Sequence, residues 1–248
     1  MSELFISPAY RHIAPDIEEA LRGFDRLGTL VYDKRNQVRI MVIGGVRVAV
    51  KRFRKRQLVV SLFRKSKAAK AYEVALRLFG EGIGTPDPIA YQSGRFSSSP
   101  DFFLSVAVDA VSAADLLRRR DFDRNLAAEL ARFIRSLHVK GIWHKDLNLS
   151  NILIDNNLPY PRKFILIDNN RTAFAKPSRV PAAKRIVANL MRVTHRRDLQ
   201  KCLLENYAAT AGISSSELIL SVLKKLLSFE RSKTIRHHIK RDILHLRK

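Results

Sequence analysis

The segment His144-Lys145-Asp146-Leu147-Asn148-Leu149-Ser150-Asn151 gathers an imidazole, a carboxylate and two carboxamides in one short stretch. Its pattern is H-x-D, four residues, then N, followed by the apolar run Ile152-Leu153-Ile154. A carboxylate at Asp146 can accept a hydrogen bond from an attacking hydroxyl and orient it toward a phosphorus. Asn151 offers a neutral carbonyl oxygen, and a hard cation such as Mg²⁺ prefers oxygen ligands. His144 is read as a side chain that packs and hydrogen-bonds the loop. Taken singly, each of these residues also has an ordinary reading as part of a turn.

The spacing resembles the catalytic loop of protein kinases and of their sugar- and antibiotic-phosphorylating relatives. The resemblance implies ATP and Mg²⁺, with Asp146 as the catalytic residue. Seventeen residues past Asn151 lies Asp168, at the end of Phe164-Ile165-Leu166-Ile167. In kinases an acid at such a strand exit holds the main metal, so Asn151 and Asp168 are the expected metal ligands. The motif here is Asp168-Asn169-Asn170-Arg171 and not Asp-Phe-Gly, which argues against a regulated eukaryotic-type protein kinase. Val48-Ala49-Val50-Lys51 resembles the V-A-I-K strand, whose lysine pairs with the nucleotide phosphates. The expected partner of Lys51 is Glu73, 22 residues on. A G-x-G-x-x-G loop is absent. Asp33-Lys34-Arg35-Asn36-Gln37 stands in its place, leaving Arg35 and Asn36 as candidates for nucleotide contact.

These residues need strands, a helix and a loop to place them. Thr29–Tyr32, Val38–Ile43 and Val46–Phe53 read as three strands of an antiparallel meander, with Gly44-Gly45 as a tight hairpin turn. Ser66 is a plausible N-cap for a helix over Ala68–Phe79. Gly82, Gly84, Pro86 and Pro88 end it, and Ile89–Tyr91 and Phe102–Val108 read as further strands. Helical spacing then dominates, over Arg124–Lys140, Ala182–Ala211 and Ser214–Ser228. A small hairpin of Ile152–Ile154 and Phe164–Ile167 interrupts it. The expected architecture is α+β and two-lobed, protein-kinase-like, with a sheet lobe over residues 1–110 and a mainly helical lobe over 111–248.

Composition narrows the partners. The chain of 248 residues carries 46 Lys and Arg against 23 Asp and Glu, a formal net charge of +23. Between Lys34 and Tyr72 there are 13 basic residues and no acidic one. A chain so charged is drawn to polyanions: nucleic acid, anionic lipid or phosphorylated glycan. Its single cysteine, Cys202, cannot form an internal disulfide, and no Cys/His cluster has zinc-ligand spacing. A reducing compartment such as the cytoplasm fits. No signal peptide and no run of apolar residues long enough to span a bilayer is expected.

Several segments together resemble the bacterial lipopolysaccharide kinase family, enzymes that phosphorylate heptose or Kdo sugars. These are VAVKRF, the KSKAAKAYEVALRLFGEGIGTPDPIAYQ stretch, HKDLNLSNILI and FILIDNNRTAF. The acid followed three residues later by arginine, Asp168 and Arg171, is closer to that family than to protein kinases, and Asn189-Leu190-Met191-Arg192 is also similar to it. The resemblance implies transfer of the ATP γ-phosphate to a sugar hydroxyl of a lipid A–core glycolipid, by a protein peripheral to the cytoplasmic face of the inner membrane. The basic block fits an anionic membrane independently, with Arg54, Lys55, Arg56, Arg64 and Lys65 as the candidate contacts. Alternatives stay open: a small atypical, RIO-like protein kinase whose positive charge meets RNA, or a catalytically inert kinase-fold binding protein. An antibiotic kinase, expected to carry an acidic cleft for cationic substrates, has the opposite charge.

Overall fold

The computed structural model describes residues 3–53, 66–94, 100–175 and 180–245, with backbone alone for 233 and 235–245. The chain forms two compact units. The first takes Met1–Val111 together with Leu153–Arg171, and the second takes Ser112–Ile152 with Thr172–Lys248. The segment bearing Asp168 therefore groups with the first unit, whereas a division at residue 110 would leave it with the second.

The first unit is built on a sheet of β1 (Glu3–Ile6), β2 (Thr29–Asp33), β3 (Asn36–Ile43), β4 (Val46–Phe53), β5 (Pro88–Ser93) and β6 (Asp101–Val106). Its order is β1-β5-β6-β4-β3-β2, with antiparallel neighbours. The expected meander is present. Gly44 and Gly45 join β3 to β4 with φ of 53° and 77°, the positive pair that a two-residue hairpin turn of this hand requires. The sequence reading did not anticipate β1, which pairs with β5, or α1 (Ala14–Arg22). On one sheet face Val48, Val50 and Leu104 pack with Ile17, Leu21 and Phe24. The other face carries Phe53, covered by Ala68 and Ala71 of α2 (Lys67–Gly80). Because successive strand residues alternate faces, Lys51 shares the Phe53 side and stands away from Val48 and Val50. Helix α2 starts where the sequence suggests, with the Ser66 hydroxyl accepting from the Ala69 N–H at 2.9 Å.

The second unit begins with the short strand β7 (Val111–Ser112), α3 (Ala113–Leu117), α4 (Arg124–Val139) and β8 (Ile142–Trp143). The Asp123 carboxylate caps α4 by accepting from the N–H groups of Asn125 and Leu126. One face of α4 buries Leu130, Phe133, Ile134 and Leu137 completely. Each such side chain contributes about 1.5–3 kcal/mol of transfer free energy. Strands β9 (Ile152–Ile154) and β10 (Phe164–Leu166), which from Leu153 onward belong to the first unit, pair as the anticipated hairpin, and in the second unit β11 (Ala173–Phe174) runs antiparallel to β8. Helices α5 (Ala183–Leu190), α6 (Arg197–Ala211) and α7 (Ser215–His245) follow.

The continuous helix expected over Ala182–Ala211 is broken between residues 191 and 196. The polar groups of that stretch bond elsewhere. The Val193 carbonyl accepts from the Leu149 N–H at 3.2 Å, and the Thr194 hydroxyl accepts from the Arg196 N–H at 3.2 Å. The Arg196 guanidinium donates to the carbonyls of Arg118, Arg119 and Arg120 and to Asp198. Among the described residues no helix is long and apolar enough to cross a membrane.

Candidate active site

In the first unit, Lys51 and Asp168 come together. The Lys51 Nζ lies 2.7 Å from Asp168 Oδ1, with side-chain exposures of 17% and 31%. Strand β4 supplies the lysine and the exit of β10 supplies the acid. Two backbone features place Asp168. Gly84 runs against β10, accepting from the Leu166 N–H at 2.8 Å. A Cβ there would sit 2.5 Å from the Phe164 carbonyl oxygen and 2.8 Å from that of Arg162, so only glycine fits this approach. Asp168 itself has φ of 57°, a left-handed conformation that aspartate tolerates better than most residues. The chain then turns into a short 3-10 segment, Asn169–Arg171, packed against α2.

Glu73, the partner expected for Lys51, lies on the exposed side of α2. The ion pair seen at Lys51 is with Asp168. Arg171 is exposed at the end of the 3-10 segment. Arg35 lies exposed in the tight β2–β3 turn, and Asn36 opens β3 opposite Phe53.

The oxygen atoms around Asp168 bear on whether a divalent cation fits. Asn169 donates its amide nitrogen to Thr85 Oγ1 at 3.0 Å and to the Leu166 carbonyl at 2.8 Å. Its Oδ1, and that of Asn170, are buried without a hydrogen-bond partner among the described residues. One carboxylate followed by two unpaired carbonyl oxygens is a donor set of hard-cation character. Among the described residues no three His, Cys, Asp or Glu side chains gather into a metal cluster.

In the second unit, the His144–Asn151 loop is pinned from within. Leu147 and Leu149 are fully buried and anchor it, while Asp146 stays partly exposed. The Asp146 carbonyl accepts from Asn151 Nδ2 at 2.8 Å and from Asn148 Nδ2 at 3.1 Å. Asn148 Oδ1 accepts from the Ser150 N–H at 3.0 Å. The His144 ring is buried, and its Nδ1 accepts from the Asp146 N–H at 3.3 Å. His144 thus makes a hydrogen bond within the loop. Asn151 turns its nitrogen to the backbone, so its oxygen is the end that could serve a cation. Asn148 was not singled out on the sequence, although an Asn two residues before the Ser150 N–H is an ordinary Asx-turn signal. The basic residues Arg54, Lys55, Arg56, Arg64 and Lys65 lie outside the described residues.

The model of the lipopolysaccharide kinase (Kdo/WaaP) family matches residues 46–210, a range that holds Lys51, Asp146, Asn151 and Asp168. The chain belongs to the lipopolysaccharide kinase (Kdo/WaaP) family. A 3-deoxy-D-manno-octulosonic acid kinase of Vibrio parahaemolyticus serotype O3:K6 (strain RIMD 2210633) is 24% identical over 94 residues, 37% of this chain and 40% of that protein. The match therefore spans less than half the length of that relative. The solved structure of WaaP in complex with acyl carrier protein superposes with a TM-score of 0.60 at 18% identity, covering 93% of this chain and 97% of that one. A Rio2 kinase–ADP/Mg²⁺–phosphoaspartate complex from Chaetomium thermophilum gives 0.47 at 18% identity, over 88% and 75% of the two chains. The fold of this Kdo/WaaP-family chain is the two-lobed, protein-kinase-like α+β fold, with an N-terminal sheet lobe and a C-terminal helical lobe.

Proposed function

We propose that this protein is a Mg-ATP-dependent phosphotransferase that moves the γ-phosphate to a sugar hydroxyl, heptose or Kdo, of a lipopolysaccharide-core glycolipid. The observation that carries the reading is the Lys51–Asp168 ion pair, which gives one phosphate-binding cation and one metal-binding carboxylate a shared place in the first unit. The pinned Asp146–Asn151 loop adds the acceptor side.

In this reading Asp146 accepts the proton of the sugar hydroxyl as its oxygen attacks the γ-phosphorus, and the bond to the leaving ADP breaks. Lys51 pairs with nucleotide phosphates. Asp168 and Asn151 are the residues that would hold Mg²⁺, and the ion would supply neutralisation of charge on the phosphate oxygens. Asn148 and Asn151 keep the Asp146 backbone still, so the carboxylate need not reorganise during transfer. The basic block at Arg54, Lys55, Arg56, Arg64 and Lys65 supports attachment to an anionic membrane surface, which fits a glycolipid acceptor.

The deciding experiment is transfer from γ-labelled ATP with Mg²⁺, offered Kdo–lipid A and heptosylated core beside a generic protein and RNA. Label in the glycolipid that disappears in Asp146→Ala is the expected result. Label only in protein moves the reading to an atypical protein kinase. Measurable Mg-ATP binding without label in any acceptor favours an inert kinase fold.

A further inference from the structure

We propose that Asn189 is a positioning residue for the His144–Asn151 loop, its amide aimed by a buried His138–Tyr207 pair so that it holds the His144 carbonyl. Asn189 Nδ2 donates to that carbonyl. Asn189 Oδ1 lies 3.0 Å from His138 Nε2, and His138 Nδ1 lies 2.8 Å from the Tyr207 hydroxyl. These four residues come from α4, α5, α6 and the loop itself, and their exposures are 2% or less.

The chain of bonds has one consistent direction. Asn189 must present its nitrogen to the carbonyl of His144, so its oxygen faces the ring and accepts. His138 therefore carries its proton on Nε2, and Nδ1 accepts from the Tyr207 O–H. Burial keeps the ring neutral, with its pKa pushed down to about 4 chiefly by desolvation. Each donor and acceptor along the path is matched, and a fully satisfied buried network fixes one geometry.

Helix α5 also touches the preceding residue. The Arg185 guanidinium lies 4.6 Å over the Trp143 ring. Arg185 and Asn189 are four residues apart and so share a helix face. That face grips two consecutive residues, Trp143 and His144, just ahead of Asp146. A displaced His144 carbonyl would carry Asp146 with it, because the Leu147 N–H also donates to this carbonyl at 3.1 Å. The consequence for chemistry rests on the reading of Asp146 given above. The consequence for loop order does not.

The test compares wild type with Asn189→Leu, Asn189→Asp and Tyr207→Phe in the full chain. Two quantities are read on folded protein: hydrogen exchange of the residue 144–151 amides, and the kcat and ATP KM of phosphate transfer. Both Asn189 variants should exchange these amides roughly tenfold faster and lose roughly tenfold or more in kcat, with ATP KM near the wild-type value. Amides of β3 and β4 should stay at wild-type rates. Asn189→Leu keeps the branched shape and apolar packing but lacks the donor, so a packing role would leave it near wild-type values while the proposed role would not. A folded Asn189→Leu with wild-type loop exchange overturns the inference. Should the Asn189 variants not fold, Tyr207→Phe decides, with a smaller acceleration in the same loop expected and unchanged exchange refuting it. Wild type that transfers no phosphate would sink the proposed function, and loop exchange would still judge Asn189.

Discussion

Lys51 and Asp168, 117 residues apart in sequence, form an ion pair of 2.7 Å in which each is the other's partly buried counter-charge. A cation bound at Asp168 competes with the Lys51 ammonium for the same carboxylate. Lys51→Met therefore has two effects of opposite sign. It should tighten binding of Mn²⁺ alone, read by titration calorimetry or paramagnetic resonance, because the carboxylate is released. It should weaken ATP binding about tenfold, because a phosphate partner is lost. Asp168→Asn should lose Mn²⁺ binding altogether. Unchanged Mn²⁺ affinity in Lys51→Met would show that Asp168 is not the metal ligand.

Asp146→Asn should abolish transfer, by about a thousandfold or more, while nucleotide affinity stays within about twofold. The amide keeps the size and the backbone bonds to Asn148 and Asn151, and removes only the proton acceptor. Near-normal turnover in this variant would dismiss Asp146 from the chemistry.

His138 makes acid stability a readable quantity. Its ring titrates near 4 in the folded protein, pushed down by burial, against 6.5 ordinarily. Between those values the unfolded chain binds the extra proton, so stability falls as pH drops. The contribution is whole above pH 6.5 and is lost progressively toward pH 4, amounting to ~3 kcal/mol. Denaturant midpoints followed over that range should fall more steeply for wild type than for His138→Gln. Parallel curves would mean the ring is not held neutral by the fold.

Gly84→Ala should cost about 1–3 kcal/mol, since the added methyl meets two backbone oxygens of the β10 approach that no side-chain rotation can move. The same variant should reduce Mn²⁺ binding, because β10 leads to Asp168. Urea unfolding beside metal titration checks both, and a neutral substitution would show that the approach relaxes freely.

Charge reversal at Arg54, Lys55 and Arg56 should weaken binding to vesicles of anionic lipid by ~1 kcal/mol per residue at low salt, with the difference fading as salt rises. Co-sedimentation measures it, and equal binding would assign the basic block another purpose.

The sequence already displayed much of this. Strand alternation in Val46–Phe53, the Ser66 cap and the apolar stripe of Arg124–Lys140 are local patterns, and the structure has elements at all three. The spacing from Asp146 to Asn151 did not announce that the Asn151 side chain donates back to the Asp146 carbonyl at 2.8 Å. What else stayed hidden was decided by distant contacts. β1 is a four-residue strand that exists because β5 offers it an edge. The break after α5 is made by a carbonyl of Val193 turning to Leu149, with no proline or glycine to announce it. Lys51 meets Asp168 across 117 residues, and spacing alone does not single out that acid from the others in the chain. His138 and Tyr207 sit 69 residues apart, and nothing local distinguishes them from ordinary helix residues.

The split composition of the first unit has a consequence for synthesis. A ribosome releases the chain from its N-terminus, yet Leu153–Arg171 belongs to the unit that begins at Met1. The sheet can pair early, but Gly84 waits for Phe164 and Leu166, and Lys51 waits for Asp168. A nascent chain stalled before residue 171 would expose unpaired backbone and a half-buried ammonium with its counter-charge still unmade. Slow translation across this interval should make the protein depend on chaperones, and a recombinant fragment ending at residue 111 should be a poor surrogate for the sheet lobe.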